Sequence, residues 1–295
     1  MLRTKQSLNT FPCAGFGSAI FKRDSIKRRS VLLLAFAFIV TSVAQYVTLI
    51  SRPACISAYA AASRPKIFLW AWERRDDLKT IPADYGVAYL AATIRIVGDR
   101  VVSVPRRQPL FVPRDIELIS VFRIEVLHGR KPKLDDRAIE NICKIIGRWK
   151  NYPRAESVQI DFDALQSERG FYSRLLKRLQ TELPAQCPVA ITALTSWCLC
   201  DNWMKDLPVA EKIPMLFSMG RESSGVVAHL SRVGAFDNES CRQSLGVSLD
   251  EAKVNDSVLS SLCGHEQIAR LYIFSSQQWS PELVSAAVKL ASSAI

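Results

Sequence analysis

The feature that most constrains this chain is a rhythm of short apolar runs alternating with amphipathic stretches. Ile116 to Val126 reads as a strand. Leu134, Ala138, Ile139, Ile142, Ile145, Ile146 and Trp149 then recur at helical spacing and mark one face. Asp135 and Asp136 suit the positive end of that helix, and Pro153 ends it. Val158-Gln-Ile-Asp-Phe-Asp163 alternates strictly, as a half-buried strand does. A second helix follows, with Ser167 as its cap and Phe171, Leu175, Leu176, Leu179 and Leu183 as its stripe, stopped by Pro184. Val189–Leu194, Ile213–Phe217, Gly246–Ser248 and Leu271–Phe274 are later strands. Pro281 to Leu290 is a closing helix with proline in its first turn.

The first third is less regular. Ile67–Trp72 and Gly86–Ile94 read as strands. Val101 to Val112, interrupted by Pro105 and Pro109, predicts an irregular β-hairpin. Strands alternating with helices in one chain call for a parallel sheet. About eight of them in one unit predict an α/β fold of the (β/α)8 TIM type. The chain has no Gly-x-Gly-x-x-Gly after a strand, no Gly-x-x-x-x-Gly-Lys-Ser/Thr loop and no Gly-x-Ser-x-Gly elbow. The sequence signals for dinucleotide binding, a phosphate loop and a serine-hydrolase elbow are therefore missing.

The expected barrel spans 63–295 as a single domain, and 1–62 forms a targeting segment with its linker. Lys27-Arg28-Arg29 precedes an apolar run from Val31 to Val40, which extends to Ile50. That is the order of a signal peptide, and about 20 residues also suffice for one membrane-anchor helix. Ser42-Val43-Ala44 and Ala58-Tyr59-Ala60 are two candidate cleavage sites, so removal and retention both stay open. Positive charge before the segment keeps the N-terminus inside. The body is then periplasmic or extracytoplasmic, either secreted or anchored to the inner membrane by residues 31–50. The net charge of +11 follows largely from the same region, where seven Lys and Arg face one Asp within the first 50 residues. A nucleic-acid partner is not expected. Eight cysteines permit disulfides without revealing their pairing. Cys198-Leu-Cys200 has no second pair to complete a metal clip, and neither a metal nor an organic cofactor is expected.

The chemistry concentrates at strand ends. Alternation puts Gln159, Asp161 and Asp163 on one face, and in a barrel that face points inward, toward the C-terminal mouth. Two carboxylates on one strand face lie about 7 Å apart and do not ionise equally when partly desolvated. That separates an acid from a permanent anion. Glu73 closes the first strand after Trp70 and Trp72 and offers a third carboxylate among aromatic rings, a combination suited to sugars. Asp161, Asp163 and Glu73 are therefore the catalytic candidates. Trp72 and Trp197 are candidate sugar platforms. Asp201 stands beside Trp197, and Arg221 is placed to hold a carboxylate or to pair with Asp161.

Four runs together resemble an uncharacterised bacterial family labelled domain of unknown function 3142. They are Trp-x-Trp-Glu-Arg-Arg-Asp-Asp-Leu at 70–78, Val-Gln-Ile-Asp-Phe-Asp-Ala at 158–164, Ala-Ile-Thr-Ala-Leu-Thr-Ser-Trp-Cys at 190–198 and Pro-Met-Leu-Phe-Ser-Met-Gly at 214–220. The resemblance covers most of 66–280 and implies a glycosidase-like barrel in the cell envelope. Chitinase-type barrels are a more distant likeness. Asp161 and Asp163 match the later aspartates of their Asp-x-x-Asp-x-Asp-x-Glu pattern. Val158 replaces its first Asp, and Leu165 stands where the essential acid would be. Two readings follow. One is an exported glycoside-hydrolase-like protein using carboxylate acid/base chemistry on a glycan. The other is a non-catalytic envelope barrel that binds a glycan or a protein. The oligomeric state is not readable.

Overall fold

The computed structural model describes residues 65–149, 157–199, 201–251, 258–259, 262 and 268–293. The expected targeting segment at 31–50 and both candidate cleavage sites lie outside these residues. Among the described residues, no helix is long and apolar enough to cross a membrane.

Eleven strands are described: β1 (Lys66–Ala71), β2 (Asp76–Asp77), β3 (Gly86–Val97), β4 (Arg100–Pro105), β5 (Leu110–Phe111), β6 (Leu118–Val126), β7 (Ser157–Asp161), β8 (Val189–Leu194), β9 (Glu211–Met215), β10 (Ser244–Ser248) and β11 (Arg270–Phe274). Eight of them close a parallel barrel in the order β1, β3, β6, β7, β8, β9, β10, β11. Closure is made by β1, which pairs with β3 on one side and β11 on the other. The helices are α1 (Asp136–Trp149), α2 (Arg169–Glu182), the short α3 (Thr195–Leu199), α4 (Ser223–Val233) and α5 (Pro281–Ser293). The expected α/β barrel of eight parallel strands is thus present, irregular in its first third, where among the described residues no helix stands between β1 and β3 or between β3 and β6.

Strand alternation sorts the core into two layers. Phe68, Trp70, Ala88, Ile119, Val121, Ala190, Ile213, Tyr272 and Phe274 fill the barrel interior. Their neighbours along the same strands, among them Leu69, Val87, Phe122, Ile160, Ile191, Val247 and Ile273, pack outward against Ile139, Ile142 and Ile146 of α1 and Leu175, Leu176 and Leu179 of α2. Period two in the strands and period 3.6 in the helices make these faces meet. The N-terminal end of the barrel is plugged by charge. Lys66 pairs with Glu117, while Arg270 reaches Glu117 at 3.6 Å and Glu211 at 3.2 Å. The Tyr272 hydroxyl also donates to Glu211 at 3.0 Å.

Two local expectations need correction. Val101 to Val112 does not fold back on itself. β4 instead pairs antiparallel with the end of β3, Val97 facing Arg100 across the two-residue turn Gly98-Asp99. Gly98 has φ 62°, which a residue with a side chain rarely adopts, so the turn settles there. Leu110–Phe111 crosses to pair with Asp76–Asp77. Ser167 does not cap the second helix either. It lies inside a 3-10 turn at Gln166–Glu168, where the buried Glu168 carboxylate turns back to accept the Leu165 N–H at 2.8 Å.

Candidate functional site

The C-terminal mouth is built where β7 ends between β6 and β8. Arg123 lies in register with Asp161. Both side chains point inward, because Arg123 shares the parity of Ile119 and Val121. Arg123 Nη1 donates to Asp161 Oδ2 at 2.8 Å, and Thr192 Oγ1 donates to Asp161 Oδ1 at 2.8 Å. Both oxygens of Asp161 are thus engaged, and only 3% of the residue is exposed at the base of the mouth.

Asp163 stands two residues on, its Oδ2 3.9 Å from Arg123 Nη2 and 51% of its side chain open. Desolvation, then the neighbouring Asp161 charge, push its carboxyl up to about 6, and Arg123 opposes the rise. The open half of the side chain screens part of that push. Asp161, Asp163 and Glu125 in turn hold the Arg123 guanidinium more firmly protonated, Asp161 most. The guanidinium lies 5.6 Å from the ring centre of Trp72. That half-buried ring packs beside Trp70 and Phe274, at 5.5 and 6.3 Å. The mouth thus joins an aromatic surface, a shared arginine and two unequal carboxylates.

The loop after β1 holds Trp72 in place. Arg106 donates to the carbonyls of Trp72 and Arg74 and pairs with the buried Asp76. Asp76 also accepts the Trp279 N–H at 3.1 Å, and the Trp279 indole donates to the Trp70 carbonyl at 2.8 Å. Burial raises the Asp76 carboxyl above its ordinary range, with the Trp279 N–H and Arg106 opposing.

The other candidates are placed differently. Glu73 is exposed, and its Oε1 accepts the N–H groups of Arg107 and Gln108 at 2.8 and 2.9 Å. Among the described residues no hydrogen bond or ion pair joins it to either aspartate, so it serves the loop. Trp197 is not an open platform. It is 3% exposed within α3, edge-on to Trp203 at 4.9 Å, and a ring so covered has no face to offer a sugar. Asp201 pairs with Arg169 at 2.6 Å and accepts the Trp203 N–H at 3.1 Å. Arg169 in turn lies over Trp203 and Trp197, at 5.1 and 5.9 Å. That cluster secures the segment after β8. Arg221 is exposed in the 3-10 turn Gly220–Glu222, and among the described residues no ion pair joins it to Asp161. The partner of Asp161 is Arg123 instead. Sequence reasoning missed Arg123 and Thr192. The available signal was parity, since each lies an even number of residues from an inward residue on its strand.

Leu165 is 42% exposed in the loop that follows β7. Cys198 and Cys241 form a disulfide that joins α3 to the 3-10 turn before β10. Among the described residues, no group of three or more His, Cys, Asp or Glu side chains is placed to hold a metal ion.

No family model matches the chain, and no curated protein matches it. Solved structures do. A Streptomyces coelicolor protein described as a chitinase A aligns with a TM-score of 0.50 at 10% identity, over 79% of this chain and 99% of that one. An endo-beta-N-acetylglucosaminidase from Cordyceps militaris gives 0.48 at 9% identity over 80% and 93%. The Bacillus cereus spore cortex-lytic enzyme SleL gives 0.46 at 10% identity over 77% and 75%. At such identities the likeness concerns the fold alone, and the first alignment supports a closed α/β barrel.

Proposed function

We propose that this barrel is exported and acts on a glycan at its C-terminal mouth, with Asp163 as the proton donor. One observation carries the reading. Asp163 is an open carboxyl raised to about 6, next to a carboxyl whose two oxygens are held by Arg123 and Thr192. An acid that keeps its proton up to about pH 6, beside a second carboxyl held by a cation, fits the division of labour that glycosidic cleavage uses. Asp163 gives its proton to the glycosidic oxygen as the bond to the sugar carbon breaks. Asp161 opposes the positive charge that develops on the ring, and water completes the hydrolysis. Trp72 supplies the apolar surface on which a pyranose face rests. Such a barrel is what membership of the domain of unknown function 3142 family would imply. Export is supported by the basic-then-apolar order at 27–50 and by the Cys198–Cys241 disulfide, which suits an oxidising compartment.

A second reading has its own observation. Leu165 occupies the place of the acid in the chitinase-type pattern, and a barrel without that acid can hold a glycan without cutting it. The names of the structural neighbours make N-acetylglucosamine oligomers the first glycans to test. The experiment measures binding and product release with wild type, Asp163→Asn and Leu165→Glu. Cleavage by wild type, falling as pH rises through about 6 and lost in Asp163→Asn with binding retained, is the expected result. Binding without cleavage by wild type, with turnover appearing in Leu165→Glu, replaces the hydrolase by the binding protein. Absence of binding across a broad set of glycans sinks both.

A further inference from the structure

We propose that the inward face of β3, β4 and β6 above the mouth is a binding wall for the sugars that extend beyond the mouth. This rests on the glycan reading and adds to it where the chain runs and how much of it is held.

The wall follows from strand register. β7 pairs with β6 only as far as Arg123 and Asp161, whereas β3 and β6 stay paired up to Ile96 and Val126. β4 pairs with that same upper part of β3 and is the outermost strand of the sheet. Three strands therefore rise above the rim on one side. Their outer face is covered, since Phe122, Ile94, Ile96 and Ile124 are buried with α1. Their inner face carries no such layer among the described residues. Directly opposed residues of neighbouring strands share a face. Arg123, Thr93 and Val104 form one row, and Glu125, Arg95 and Val102 form the next. Arg95 bridges to Glu125 at 2.9 Å, and Val102 is 43% exposed beside that pair.

That composition suits a saccharide better than a protein. A pyranose presents apolar C–H faces ringed by hydroxyl groups, and the wall sets aliphatic side chains among fixed donors and acceptors. Continuity with the mouth decides the occupant. Arg123 belongs to both, touching the two aspartates at its tip and heading the first row of the wall. Three residues of further pairing above Arg123 correspond to about 10 Å of wall, which takes about two pyranose units end to end.

The test is calorimetric binding of N-acetylglucosamine oligomers of two to six units, with Asp163→Asn as the background so that no probe is consumed. Affinity is expected to rise about tenfold between two and four units and then to level off. Val102→Asp should remove that gain and leave two-unit binding unchanged, while Val102→Trp should enlarge it. Val102 is exposed on an outer strand, and melting curves check that both variants fold. Equal affinity for two and four units, or indifference of the four-unit affinity to both variants, overturns the wall while leaving the mouth intact. Failure of every oligomer to bind overturns the mouth reading, and the wall falls with it.

Discussion

The two ends of the barrel use the same residue types to opposite effect. At the N-terminal end two cations, Lys66 and Arg270, meet two carboxylates, Glu117 and Glu211, and Tyr272 adds a donor. Charge is balanced there and each oxygen-bearing group has a partner. At the C-terminal end Arg123 faces three carboxylates, those of Asp161, Asp163 and Glu125. Asp161 takes the short contacts, so Asp163 is left at 3.9 Å and open. A saturated network holds strands together. An undersupplied one leaves a proton with somewhere to sit. The difference between the two ends arises here from the ratio of cations to carboxylates.

Substitutions can break or sharpen this contrast. Glu211→Ala should have the largest effect on folding, because it leaves the Tyr272 hydroxyl without its acceptor and Arg270 with only the longer contact to Glu117. A loss of about 3 kcal/mol in urea denaturation is expected, with the mouth's ligand affinity preserved in the folded fraction. Arg123→Met should cost less stability, about 2 kcal/mol, through the lost charge-assisted hydrogen bond to Asp161. It should nevertheless cut turnover severely and move the fall of the residual activity to higher pH, since the cation that opposes the rise of Asp163 is gone. A plug-like result, with large destabilisation and an unmoved pH profile, would erase the distinction between the ends. Asp163→Asn should change stability least. The folded-state pKa of Asp163 is raised from 3.8 to about 6, so its favourable contribution is complete below pH 3.8 and is lost as pH climbs through about 6. The Asn variant lacks that dependence. It should be more stable than wild type at pH 7.5 by no more than about 1 kcal/mol, given the open side chain. Thermal melts between pH 4 and 8 check both the sign and the flattening.

Much of the fold was legible because burial writes itself into periodicity. The isoleucines of α1 recur at helical spacing, and the alternation in β7 correctly turned Asp161 inward. What stayed hidden was pairing between distant segments. Nothing near Asp161 in sequence announces Arg123, 38 residues earlier; only the register of β6 against β7 joins them. Glu73 sat among promising aromatics, yet the backbone of Arg107 and Gln108 captured its carboxylate. Trp197 followed a strand as an open platform would. A one-turn helix, a disulfide at the next residue and the edge of Trp203 enclosed it instead. Local sequence records which residues want to be covered, but not which distant neighbour covers them.

The closure of the barrel between β1 and β11 has a consequence for biogenesis. Lys66 lies against Arg270, so the first strand of the domain waits for nearly the whole chain before its second edge is occupied. During synthesis the growing polypeptide therefore has an open seam, and contacts this remote in sequence form slowly. A polypeptide that must be threaded through a narrow channel gains from that delay. Under the export proposed above, the last strand is a latch that engages only after the thread has passed.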